Sequence, residues 1–319
     1  MKPVDFELHR PASLDEAVAL LAEHGEEGKV LAGGQSLLPL LNFRLARPEH
    51  LIDLGRIAGL AELHRTEAGL TVGSMVSHAA AERAPAVARD CPLLAEALPL
   101  IAHPPIRNRG TVGGSLAHAD AVAELPSVAT ALDARFVAVS TRGRREIASA
   151  DFFQGYLTTA LRPDEVLTEI HFPRAVAGTG AAFREVARRR GDFALVGVAV
   201  QLTVVGSAIT EARVCFSGVA SVPLRCAPAE AALHGGAPDR GTLDRAAAAA
   251  RAVLSPPSDL HAPADYRRQV AGVLLRRAVR DAYERASAGA DNTTAPRDPR
   301  ANGGVTADSS GLPQLPAGA

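Results

Sequence analysis

Apolar positions along the chain recur with two periods, and each predicts a different element. Between Ser13 and His24, the residues Leu14, Ala17, Val18, Leu21 and Ala22 fall at helical spacing. Ser13 with Glu16 forms a capping box ahead of that helix, and Gly25 supplies its left-handed stop. Leu93, Leu94, Ala97, Leu98 and Ile101 repeat the pattern over residues 92–102. Residues 37–44, an alanine-rich stretch capped by Ser77, and a segment ending at 129–134 also predict helices. Short apolar runs bounded by turn residues predict strands at 6–10, 29–32, 51–54, 136–139 and 166–172, with a strand pair at 60–64 and 69–73. Residues 151–156 continue this mixture. Pro104 and Pro105 exclude a helix from residues 103–110.

Periodicity lapses over residues 173–180, which places a domain boundary there: a first domain over 1–175 and a second over 178–286. The second opens with strand-like runs at 182–186, 193–205 and 208–216, read as an antiparallel meander. Helical runs follow at 228–233, 242–254 and 264–286. From Ser287 onward large apolar residues are almost absent, so residues 287–319 are expected to form a disordered tail. The fold class is α+β.

Composition narrows the function. A chain of 319 residues with 47% hydrophobic content supports about two real cores. A net charge of −1 points to neither nucleic acid nor an anionic membrane. With no Trp and only 4% aromatics, stacking platforms for single strands are not expected. Met1 to Asp5 lacks a signal peptide, and no run reaches the ~20 apolar residues of a membrane span. Cys91, Cys215 and Cys226 are scattered, with no Cys-x-x-Cys, so no metal or cluster site follows and a reducing, cytoplasmic setting is expected.

Two loops carry the candidate chemistry: Ala32-Gly33-Gly34-Gln35-Ser36 and Thr111-Val112-Gly113-Gly114-Ser115. Each pairs glycines with a hydroxyl residue beside an apolar run. Paired glycines admit positive φ and close approach of a ligand to the backbone. Successive N–H groups there form a positive nest that suits phosphate, and a helix opening at Leu37 adds partial positive charge. Two such loops suit the two anionic groups of a dinucleotide's pyrophosphate. Gly-x-Gly-x-x-Gly after a strand and the P-loop pattern are both missing, and no Ser/His/Asp nucleophile set stands out.

The ordered motifs resemble one family. They are Ala32–Leu37, Ile106–Leu116, Ala119-Asp120 with Glu124-Leu125-Pro126, Phe152-Phe153-x-Gly155, Pro163–Leu167, and Arg189-Arg190-Gly191-Asp192-Phe193-Ala194. From Phe6 to about Ala286 the chain resembles the FAD-binding medium subunit of molybdenum hydroxylases, the xanthine dehydrogenase and aerobic carbon monoxide dehydrogenase group. The resemblance implies a two-lobed FAD domain of the PCMH/vanillyl-alcohol-oxidase type, then a small antiparallel sheet with a helical bundle. It implies that residues 32–36 and 111–115 hold the FAD diphosphate and that Glu124, an Asp in many relatives, bonds an FAD hydroxyl, with Asp120 as the alternative. It places Leu167 against the flavin and Arg184, at a position often Lys, near the cofactor. Phe193 either covers the isoalloxazine or sits in strand core.

Gln35 replaces a frequent His, His118 stands where Asn is common, and Ala121 where Pro is common. Residues 156–159 lack a basic pair seen in some relatives. The resemblance further implies a large subunit with a molybdenum–pterin cofactor and a small subunit with two [2Fe–2S] clusters, assembled as a dimer of heterotrimers. The flavin would then pass electrons to NAD, a quinone or oxygen. A self-contained flavin reductase or oxidase, and a flavin-binding regulatory module without turnover, are the alternatives.

Overall fold

Three short strands build the first lobe of the computed structural model, which describes residues 2–294. Strands β1 (Glu7–His9), β2 (Gly28–Leu31) and β3 (His50–Asp53) run parallel in the order β1-β3-β2. Parallel neighbours need a crossover, and helix α1 (Leu14–His24) supplies it between β1 and β2. Ser13 caps α1 by accepting from the Glu16 N–H at 3.2 Å, while Glu16 accepts from the Ala12 N–H at 2.8 Å. Ala17, Val18 and Leu21 bury the helix against Ile52 and Leu54. Helix α2 (Leu37–Asn42) follows the first glycine loop.

The second lobe is a five-stranded antiparallel sheet with helices inserted between its strands. It contains β4 (Leu63–Arg65), β5 (Gly69–Gly73), β6 (Arg135–Ser140), β7 (Gly143–Ala148), the small hairpin β8 (Phe153–Gly155) and β9 (Thr158–Thr159), and β10 (Val166–Pro173). The sheet order is β4-β5-β10-β6-β7. Between β5 and β6 lie α3 (His78–Arg83), α4 (Pro85–Asp90), α5 (Pro92–Ala97), α6 (Pro104–Arg107), α7 (Val112–His118) and α8 (Glu124–Ala131). Helix α9 (Ser149–Phe152) joins β7 to β8. The Pro163–Leu167 motif forms a joint. Glu165 is buried and accepts from Arg145 of β7 at 2.7 Å and from the Arg162 N–H at 2.8 Å.

The last unit is the meander β11 (Thr179–Ala187), β12 (Ala194–Val205), β13 (Ala208–Ser217) and β14 (Leu224–Arg225). Helices α10 (Ala227–Leu233), α11 (Arg240–Val253) and α12 (Ala264–Thr294) complete it. Strand alternation divides its side chains. Ala182, Val198, Val200, Val214 and Phe216 face the helices, whereas Ala181, Phe183, Ala199 and Cys215 join the core of the second lobe. Gly180 lets α12 lie directly on β11: a Cβ there would stand 1.9 Å from the Ala282 carbonyl oxygen.

Three expectations need correction. Residues 104–107 are a short helix, because Pro104 and Pro105 occupy its first turn, where no N–H is required. The helix expected over 92–102 stops at Ala97 and tightens into a 3₁₀ turn over Leu98–Leu100, since Pro99 lacks the donor that α-helix would need. Helix α12 continues to Thr294, past the Ser287 at which the tail was to begin, and the rest of that tail lies outside the described residues. Among the described residues no helix is long and apolar enough to cross a membrane.

Candidate functional site

Far apart in sequence, the two glycine loops are in contact. The first leaves the C-terminal end of β2 and turns through Gly34 at φ +72°, a conformation that favours glycine. The second is the N-terminus of α7, capped by Thr111, whose Oγ1 accepts from the Gly114 N–H at 2.9 Å. A Cβ on Gly33 would lie 2.1 Å from the Arg109 carbonyl oxygen, and a Cβ on Gly114 would lie 3.4 Å from that of Ala32. Glycine at 33 therefore permits backbone-to-backbone contact between the first loop and the entry to the second. Beneath them, Gly113 rests on Ser74, and the buried His78 ring lies 3.0 Å from where a Cβ of Gly110 would be. Burial pushes the His78 imidazole down to about 4, so it packs as a neutral ring.

The loops differ in what they offer an anion. Backbone N–H groups of Gly33, Gly34, Gln35 and Ser36 donate to no acceptor among the described residues, and all four residues are half-buried. In the second loop Val112 donates to the Val76 carbonyl at 2.9 Å, Gly113 to that of Ser74 at 2.9 Å, and Gly114 to Thr111. The expected second nest is therefore already satisfied within the chain. Val112 and Gly113 are buried, while Gly114 and Ser115 are half-buried. The Gln35 amide donates to the Gly33 carbonyl at 3.2 Å and closes the first turn upon itself.

Past α7 the chain turns through Ala119 at φ +54°, an uncommon conformation for alanine, and reaches Asp120. Asp120 accepts from the Val122 N–H at 3.1 Å. Glu124, at the start of α8, is pushed up to about 7, first by burial and then by the charge of Asp120. Glu185 on β11 is pushed up to about 8, by burial and by Glu124, and its Oε2 is buried with no hydrogen-bond partner among the described residues. Two carboxyl groups thus share a poorly solvated space beyond the loops.

Glu185 was not anticipated, and its neighbour Arg184 lies on the other face of the strand. Phe183 packs into the second lobe, so strand parity sends 185 the same way and 184 the other. Arg184 instead donates to Asp281 of α12 at 2.6 Å, on the helical side of the sheet. Leu167 is 5% exposed and belongs to the second-lobe core. Phe193 lies just before β12 and is 71% exposed, so it is not strand core. Its loop is seated on the approach to the second glycine loop: a Cβ on Gly191 would lie 2.4 Å from His103.

Two family models and several relatives match the chain. Residues 4–175 match the family model described as the FAD binding domain in molybdopterin dehydrogenase. Residues 181–282 match that of the CO dehydrogenase flavoprotein C-terminal domain. The carbon monoxide dehydrogenase medium chain of Hydrogenophaga pseudoflava is 39% identical over 89% of this chain and 99% of its own length. The 6-hydroxypseudooxynicotine dehydrogenase complex subunit alpha of Paenarthrobacter nicotinovorans is 40% identical over 90% of this chain and 97% of its own. Among solved structures, a chain of carbon monoxide dehydrogenase from Hydrogenophaga pseudoflava superposes with a TM-score of 0.87 at 41% identity, covering 89% of this chain and 99% of that one. A chain of quinoline 2-oxidoreductase from Pseudomonas putida 86 gives 0.86 at 37% identity, covering 91% and 100%.

Proposed function

Because the chain belongs to the FAD-binding medium subunits of the molybdenum hydroxylases, we propose that it is the electron-transfer subunit of a heterotrimer. In this reading a large subunit with a molybdenum–pterin cofactor oxidises the substrate. Two [2Fe–2S] clusters of a small subunit deliver the electrons to this chain, which passes them to NAD, a quinone or oxygen. Bound FAD supplies the redox step, accepting electrons singly and releasing a pair, while the protein contributes position and electrostatics.

One observation carries the assignment of the cofactor site: the open run of N–H groups at Gly33–Ser36, held against the second loop by contacts that only glycine allows. These groups hold the diphosphate. Thr111 through Ser115 support them from below, with the Ser115 hydroxyl rather than backbone nitrogens available to the ligand. Asp120 and Glu124 then serve ribose or ribityl hydroxyls, since a carboxylate beside a diphosphate would be repelled. Phe193, exposed on its loop, covers an edge of the cofactor. Arg184 ties β11 to α12 through Asp281.

We place the domain division at residues 173–180 and the complex in the cytoplasm as a dimer of heterotrimers. Co-expression with the neighbouring genes, followed by purification through a tag on this chain and a visible absorption spectrum, tests the proposal. A flavin band with iron–sulfur absorbance and two further polypeptides is expected. Flavin on a solitary chain under those conditions would overturn the heterotrimer, and a flavin-free complex would overturn the cofactor site.

A further inference from the structure

Three histidines from three elements of the first lobe meet at the edge opposite the glycine loop. His9 ends β1, His24 ends α1 and His50 opens β3. One ring nitrogen of each lies within 4.8 Å of the others. His9 Nε2 and His50 Nδ1 stand 3.0 Å apart, and the rings of His24 and His50 stack at 3.6 Å. Nε2 of His24 is buried and has no hydrogen-bond partner among the described residues. A buried, unpartnered imidazole nitrogen costs free energy that a ligand would recover. The Glu7 carboxylate lies 4.0 Å from His9 Nε2 and 3.7 Å from His50 Nδ1, at the mouth of an open groove also lined by Glu49.

We propose that His9, His24 and His50 form a binding site for a divalent transition ion of the zinc class, with Glu7 or water as the fourth ligand, and that the ion ties β1, α1 and β3 together. Imidazole suits zinc. At Zn–N distances of about 2.0–2.1 Å a tetrahedral ion holds its ligand nitrogens about 3.3 Å apart. The His9–His50 pair already has nearly that spacing, and His24, now stacked on His50, completes the set by swinging its ring out of that stack. Whichever of those two rings donates the present hydrogen bond takes its other tautomer when both coordinate. A structural role fits the position. His50 pairs with Gly28 at the start of β2, whereas the glycine loop leaves its far end, roughly 13 Å along the strand. The site therefore shares no residue with the cofactor loops, and its test does not depend on the flavin assignment.

The experiment is equilibrium dialysis of the full-length, tag-free protein against Zn²⁺ with metal analysis. Cobalt difference spectra are recorded beyond the flavin band. One Zn²⁺ per chain with a Kd tighter than about 10 μM is expected, together with zinc-displaceable tetrahedral cobalt bands. His24→Asn and His50→Asn should each weaken binding at least about tenfold, with flavin content and circular dichroism unchanged. Kd values weaker than that limit, or tight binding that persists in both folded variants, would overturn the site. The cobalt spectrum of the unaltered chain decides the matter if either variant does not fold.

Discussion

At the scale of single residues, the absence of side chains at the loops is as consequential as the groups that are present. Gly33→Ala drives a methyl into the Arg109 carbonyl, and rigid backbone cannot yield there. It should lower flavin content by about tenfold or more, a loss of roughly 1.4 kcal/mol in binding. Gly34→Val meets the movable Leu38 and Leu31 side chains and forces valine to φ +72°, and should also release FAD. Absorbance of each purified variant, with thermal melts to confirm folding, checks both. Glu124 and Glu185 make a second residue-scale prediction. Both carboxyls titrate higher in the folded chain, near 7 and 8, than the ordinary 4.5. Their protonated forms therefore favour folding below about pH 4.5, and that contribution is lost as pH rises through 7 to 8. Melting temperature of the flavin-free chain should fall between pH 5 and 8. Glu185→Gln should flatten the profile and raise the melting point at pH 8 by about 2 °C.

At the scale of elements, charge pairs hold joints between strands. The Arg145 guanidinium binds Glu165 through two nitrogens, each at 2.7 Å, and joins β7 to the turn before β10. Burial alone would raise the Glu165 carboxyl, but hydrogen bonds from Arg145 and the Arg162 N–H hold it below its ordinary value. Arg145→Ala leaves that carboxylate buried and should destabilise the chain by about 2 kcal/mol in urea unfolding. This is less than for a fully enclosed pair because Arg145 is partly exposed. The short helix α6 shows a different device. Arg107 donates to Glu82 at 2.8 Å and to the Ile101 carbonyl at 3.1 Å, fixing the approach to the second glycine loop.

At the scale of the whole molecule, an apolar surface remains beside the first loop. Leu38, Phe43 and Leu45, in and after α2, are 42%, 64% and 76% exposed. Arg44 between the last two sits at φ +58°, so the turn is held in an uncommon shape. Exposed apolar side chains of this size suit an interaction surface, and the prediction is that a partner subunit of the proposed heterotrimer covers them. Phe43→Asp with Leu45→Asp should abolish co-purification of a partner while flavin stays bound, as gel filtration and absorbance would report.

Most elements, and the two glycine loops as features of the backbone, were legible in local sequence patterns. Helical spacing fixed α1, apolar runs fixed the strands around the glycine loops, and paired glycines marked a backbone site, because these signals are local. Arg184 and Glu185 show a signal that was present and missed: alternation from Phe183 already assigns them to opposite faces of β11. Other features were not legible in any local pattern. The satisfied N–H groups of the second loop depend on Ser74 and Val76, nearly forty residues earlier. The contact of Gly33 with Arg109 and the meeting of His9, His24 and His50 depend on the crossovers that pack β2, β3 and α7. Spacing along the chain carries the period of an element, but which elements touch is settled by burial of their apolar faces, which appears only once the chain has packed.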